Sequence, residues 1–464
     1  MKKPLLWRLR CHPPPLHCFC IVFAAFAAWT AAASLAALLP ALVSVPTEFM
    51  ETDKLVGTNN TPDDQFGISV AVDGDTAVVG AFLDDPFSFR NAGSVYVFRY
   101  DGLAWPQEAR LIADDPDQFD QFGRSVAVSN DVAMVGAYLS DDFGLSSGSA
   151  YFFRYDEMEM DWVQEQKVTA SDPAAGDELG FSVAVSGDTA VAGAPLADDP
   201  AFRTGAAYVF RYNGVVWEQE QKLIDFGLRA RDQFGFSIAV SGGTAVVGAP
   251  VPDVEPINER PGSAIAFRYD GNADTWLPGS LLTSLDSADG DEFGFPVAVS
   301  GDTAMVGAPD HNFRRGAVYV FGYNEQEMVW EQEQKLTASE LAIGDQFGFS
   351  VSVTGDTAVI GAEGAGLVYV FRYDGTDWLE NEMLVPSDDA AGFGNSVAVG
   401  GDSAVVGAHL DNPSSFRKAG SAFVFAVPEP SATLLHVSAL GALAWLTRRR
   451  RSLSGAMPGT RASS

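Results

Sequence analysis

The chain has 464 residues, 47% of them hydrophobic, so it holds ample apolar material for a packed core. It carries 29 basic and 61 acidic side chains, a formal net charge of −32. These figures exclude a wholly disordered acidic chain and argue against nucleic acid as a partner, since its phosphates call for a basic patch.

The N-terminal segment comes first. Lys2, Lys3, Arg8 and Arg10 form a basic start with no acid up to residue 45, and the apolar, Ala-rich run 21–43 follows. This order reads as a secretory signal peptide over residues 1–45, with a retained anchor helix as the alternative. All three cysteines, Cys11, Cys18 and Cys20, fall inside it. Once it is removed, neither a disulfide nor a thiolate metal site is available.

From residue 51 to 426 one unit repeats seven times. Phe66-Gly67, Phe122-Gly123, Leu179-Gly180, Phe234-Gly235, Phe293-Gly294, Phe347-Gly348 and Phe393-Gly394 open the copies. A second glycine, from Gly80 in the first copy to Gly407 in the last, follows each at the same interval. For example, Gly67 and Gly80 lie 13 apart. Between them lie a Ser-Val-Ala-Val-like segment, a short turn and Thr-Ala-Val-Val-Gly-Ala, which predicts a two-stranded hairpin. A third strand follows, as in 95–98 (Val-Tyr-Val-Phe), then an Asp-Gly turn. The fourth strand carries Trp105, Trp162, Trp217, Trp276, Trp330 or Trp378.

Four antiparallel strands per unit, dense in Val, Phe, Tyr and Trp, predict an all-β fold. Radial repetition of such sheets makes a β-propeller, here with seven blades. It would be flanked by an N-terminal signal helix and a C-terminal hydrophobic helix. The seventh unit lacks a tryptophan strand, whereas 51–55 (Glu-Thr-Asp-Lys-Leu) looks like the tail of one. Residues 51–57 are therefore expected to pair with 422–425 and close the ring, which hides a bare sheet edge.

The Phe-Gly start and the Gly-Ala-Pro end, complete at 193–195, 248–250 and 307–309, resemble the FG-GAP repeat of integrin α heads and bacterial surface proteins. The resemblance implies the seven-bladed fold. It does not imply the ligand. Integrin-type repeats often hold calcium between the first two strands. Turns such as 186–188 (Ser-Gly-Asp) are too short for six or more oxygen ligands, so that metal role does not carry over.

The acids gather in two other loop sets. Asp114, Asp115, Asp117 and Asp120, and later Asp286, Asp289, Asp291 and Glu292, lie between fourth and first strands. Asp84, Asp85, Asp141, Asp142, Asp198 and Asp199 lie between second and third strands. Strand alternation puts both sets on one face. Calcium there is the one cofactor left open; otherwise none is expected. Arg90, Arg203, Arg314 and Arg417, each after a Phe, are expected to pair with nearby Asp. His311 and His409 are expected as surface residues. No catalytic motif stands out, so the chain reads as a non-enzyme.

The C-terminus completes the sequence. Pro428, Glu429 and Pro430 lead into the apolar run 432–446, then Arg448, Arg449, Arg450 and Arg451. The order resembles the PEP-CTERM sorting signal over residues 427–451, with a disordered tail at 452–464. A plain membrane anchor is the alternative. The resemblance implies an exosortase-type protease as partner, a membrane stage before processing, and surface or extracellular delivery. Nine of the 29 basic residues and one of the 61 acids belong to the two ends. The centre thus holds 20 and 60, a net charge of −40.

The functional expectation is an exported propeller that binds an extracellular protein or polysaccharide. A matrix component without a discrete ligand, or a polysaccharide hydrolase or lyase, are the alternatives.

Overall fold

The protein is described from a computed structural model covering residues 48–199, 201–225, 227–250, 261–413 and 417–428. The expected leader and signal helix, the sorting motif from Glu429 through Arg451 with its apolar helix, and the 452–464 tail lie outside these residues. Among the described residues no helix is long and apolar enough to cross a membrane.

Seven antiparallel sheets form the propeller, five of them built of four strands in sequence order from the axis outward; the outer strand is broken in two in the fourth and comes from the N-terminal segment in the seventh. In the first blade these are β2 (Val70–Asp73), β3 (Thr76–Ala81), β4 (Ser94–Arg99) and β5 (Gln107–Leu111). Asp73 pairs with Thr76 across a two-residue turn whose first member, Gly74, has φ +58°. Asn130 takes that place in the second blade at φ +52°, a conformation that Asn tolerates. The second strand is buried along its whole length. Neighbouring blades cover both of its faces, which is why it is made of Ala, Val and Gly.

The fixed glycine interval has a direct cause. Within a blade the Phe-Gly glycine donates its N–H to the carbonyl of the second glycine, at 2.9 Å for Gly67 and Gly80. Between blades the second glycine lies against the next Phe-Gly carbonyl. A Cβ on Gly80 would sit 2.1 Å from Gly123 O, and one on Gly193 would sit 2.0 Å from Gly235 O. The Phe-Gly glycines themselves hold φ between 85° and 97°, a region that favours glycine. Serines of the inner strand complete the seam. Ser69, Ser125 and Ser182 donate to the carbonyls of Gly123, Gly180 and Gly235 at 2.8–2.9 Å. The sequence of bonds returns to its start when Ser396 donates to Gly67 O at 2.9 Å.

The ring closes as expected. An N-terminal strand, β1 (Met50–Leu55), pairs antiparallel with Ser421–Ala426, setting Leu55 opposite Ala422 and Lys54 opposite Phe423. It reproduces a fourth strand position by position. In ordinary blades a Gln brackets the backbone of the next tryptophan; Gln166 accepts from Trp217 N and donates to its carbonyl, both at 2.8 Å. Here Asp53 accepts from Trp105 N at 2.9 Å, and Phe49 stands where the tryptophan would be, its N–H bound by Glu382 at 2.9 Å.

The fourth blade departs from the expected continuous tryptophan strand. Its outer strand breaks into Thr275–Trp276 and Ser280–Leu282. Pro278 lacks an N–H for the ladder. The Glu that receives a tryptophan indole elsewhere, as Glu220 does from Trp276 at 2.9 Å, is Gly279 here. The indole N–H of Trp330 in the next blade is consequently buried without a partner among the described residues.

Gly193→Ala should therefore destabilise the protein by about 2 kcal/mol or more through overpacking. Gly271→Ala, where nothing lies within 4 Å of the new methyl, should stay within about 0.5 kcal/mol. Urea denaturation of both variants measures the difference.

Candidate functional site

One rim of the propeller carries both acidic loop sets, and the structure brings them together through a cation from the outer strand. Lys167 reaches Asp115 at 2.7 Å and Asp142 at 2.6 Å. Lys222 does the same to Asp172 and Asp199, and Lys54 of the closing strand to Asp388 and Asp411. The lysine stem lies over a third-strand ring, with Lys167 Nζ 5.2 Å from the Tyr151 centroid. That tyrosine's hydroxyl is 3.1 Å from Asp115. Burial works against the charge on Lys167 and Lys222, but the carboxylate hydrogen bonds outweigh it and raise both pKa values. The first blade uses Arg110 on Asp84 at 2.5 Å.

His311 belongs to this device and is not a free surface residue. It occupies the place of Asp84 and Asp411, with Nε2 2.8 Å from Lys335 Nζ and Nδ1 2.7 Å from Asp291. Lys335 also holds Asp286 at 2.7 Å. The ammonium can only donate, so Nε2 accepts and Nδ1 carries the proton toward Asp291.

A second carboxylate set supports the loops from beneath. Asp64, Asp120, Asp177, Asp232, Asp291 and Asp345 stand two residues before the Phe-Gly or Leu-Gly pair. Each accepts the backbone N–H three residues upstream, at 2.5–2.8 Å. Sequence reasoning counted only Asp120 and Asp291, as loop acids. The regular Asp-x-Phe-Gly spacing was the available signal, and Ala391 breaks it in the seventh copy. Burial pushes Asp64 up to about 7 and Asp120 up to about 6.

The Phe-Arg pairs divide. Arg314 meets Asp310 at 3.2 Å and Arg417 meets Asp63 at 3.4 Å. Arg90 and Arg203 lie over the rings of Phe119 and Phe202 instead. Several phenylalanines of these loops stay outside: Phe87 is 75% exposed, Phe313 76%, and Phe119, Phe143 and Phe202 are each about half exposed. Phe87, Phe119 and Phe313 hold positive φ.

At the axis the residue after each Phe-Gly or Leu-Gly pair lines a cavity of about 280 Å³. In order these are Ile68, Arg124, Phe181, Phe236, Phe295, Phe349 and Asn395. The four rings form an arc, with successive centroids 4.9, 5.2 and 5.1 Å apart. Further along the axis the lining is mostly Val and Ala. His409 is buried near this mouth, its pKa lowered to about 4 by burial and then by Arg124 and Lys418. Its Nδ1 has no hydrogen-bond partner among the described residues. On the opposite rim the short Ser-Gly-Asp turns are hairpin turns, and Gly187 N–H bonds Ser129 Oγ of the preceding blade at 3.1 Å. Among the described residues no group of three or more His, Cys, Asp or Glu is placed to hold a metal ion. Pro428 is the only residue of the expected sorting motif within them, and its carbonyl accepts from Arg372 at 2.9 Å.

Folding should bind protons through Asp64 and Asp120, because their pKa values are higher folded than in the ordinary carboxylate range near 4. Stability from this source is complete at low pH and is lost as pH rises toward about 7. Urea midpoints should therefore fall between pH 5 and pH 8, and Asp64→Asn should reduce that difference.

A family model described as FG-GAP repeat matches residues 49–98, 105–153, 162–210, 217–267, 276–321, 330–371 and 378–425. No curated protein matches the chain. Among solved structures, the crystal structure of a protein from Lactobacillus plantarum, a Northeast Structural Genomics Consortium target, is 12% identical. The match covers 71% of this chain and 86% of that one, with a TM-score of 0.47.

Proposed function

The chain belongs to the FG-GAP repeat family, and from that premise we propose that it is an exported, non-enzymatic binding module. Its ligand is an extracellular protein or polysaccharide. The observation that carries this reading is the crown of exposed phenylalanines on the clamped rim. Phe87, Phe119, Phe143, Phe202 and Phe313 hold their rings in solvent beside fixed carboxylates. Exposed apolar groups gathered on loops over a rigid scaffold mark interaction surfaces. Flat rings stack on sugar faces or cationic side chains, and the surrounding carboxylates accept hydrogen bonds from hydroxyls or ammonium groups. The lysine clamps keep the loops ordered before binding, which reduces the ordering cost.

Export and display rest on the two ends of the sequence. An exosortase-type protease would act at Pro428-Glu429-Pro430 while the apolar run and Arg448–Arg451 hold the chain at the membrane. Calcium at the rim would have to compete with the clamping lysines, which already hold many of the carboxylates.

A glycan array and a pull-down from the extracellular fraction test the binding role. Phe87→Ser together with Phe313→Ser should weaken whatever is captured at least about tenfold without lowering the melting temperature. Capture unchanged by that pair would refute the crown as the site. Replacing Arg448–Arg451 with serine in cells that contain the protease should leave an unprocessed, membrane-bound chain, read as a higher mass on immunoblots.

A further inference from the structure

We propose that the mouth of the central channel binds a small carboxylate-bearing ligand with an apolar body, the carboxylate gripped by Arg124 and the body seated on the phenylalanine arc. The site is separate from the rim crown, so either reading can fail alone.

Arg124 is the starting point. The arginines of the outer strands have partner groups: Arg110 holds Asp84, Arg154 holds Glu165 and Arg211 holds Glu220. Arg124 has none. Its guanidinium makes no hydrogen bond and no ion pair among the described residues, although the protein has an excess of acids. It lies over the ring of Phe181, 5.4 Å from the centroid. The half-buried guanidinium thus borders the open axial cavity with no protein partner among the described residues, which leaves its N–H donors available to a ligand.

The surroundings favour an anion there. Many rim carboxylates are engaged by lysines, and exposed charges are screened beyond about 8 Å at physiological salt. Next to Arg124 the arc of Phe181, Phe236, Phe295 and Phe349 offers an apolar wall, while Asn395 is tied to Ile68 O at 2.9 Å. The cavity of about 280 Å³ lies at the small end of ligand sites, so the ligand is a small molecule or one side chain.

The repeat supplies a clean variant. The position of Arg124 is Ile68 in the first blade, so Arg124→Ile introduces a residue this fold already accepts there. Isothermal titration of the full chain with phenylacetate, phenylethanol and phenylethylammonium tests the proposal. Saturable binding of phenylacetate is expected, at least about tenfold tighter than the alcohol, as one charge-assisted pair provides. The ammonium should not bind. Arg124→Ile should abolish phenylacetate binding at an unchanged melting temperature, and Arg124→Lys should retain part of it. No phenylacetate binding, equal affinity for the alcohol, or binding unaffected by Arg124→Ile would overturn the proposal. If Arg124→Ile does not fold, the acid–alcohol comparison on the unaltered chain decides.

Discussion

The close approach of two backbones at each blade boundary is the constraint on which this molecule depends. A glycine of one second strand lies on the carbonyl of the next Phe-Gly pair, with no room for a side chain at Gly80, Gly193 or Gly407. That single contact sets the interval between the two glycines, the positive φ of the first and the small residues of the second strand. The serine bonds lie on the same seam, as at Ser69 and Ser396. Because backbone atoms make the contact, the surrounding side chains are free to vary. This is why Leu179 can stand for phenylalanine and Pro296 for serine without loss of the blade.

Much of this was legible in the sequence because it is carried by period and composition. The seven units, the four strands, the shared acidic face and the closing strand all follow from repeated local patterns. Less legible was anything defined by a partner distant in sequence. Lys167 joins loops at Asp115 and Asp142, and no local pattern says that one ammonium serves both. His311 looked like an isolated loop histidine because its role is that of an aspartate in other blades. Phe49 was invisible as a tryptophan substitute until its N–H was seen on Glu382. The broken strand at Leu277-Pro278-Gly279 was written in the composition, but its effect, an unpaired indole one blade further on, needed the geometry.

The electrostatic picture also changes with the structure. A net charge of −40 in the central region suggests a uniformly negative rim. Many of those acids are instead structural: some accept backbone N–H groups beneath the loops, and others are held by lysines across them. The negative potential available to a partner is therefore concentrated in the outermost carboxylates and interleaved with exposed aromatic rings, while the axis carries an unpaired cation. The disc thus has a polar pattern with a centre and an edge of opposite character.

The closing strand has a further consequence in time. Residues 50–55 are among the first of the propeller to be synthesised, yet their partners at 421–426 are the last. Six blades and part of a seventh must exist before the clasp can engage, and closing so long a span is entropically slow. Until then the opening segment is a loose strand and the final sheet has a bare edge, the arrangement most exposed to pairing with a second chain. Assembly of this ring is thus a race between its own two ends and any neighbour that reaches that edge first.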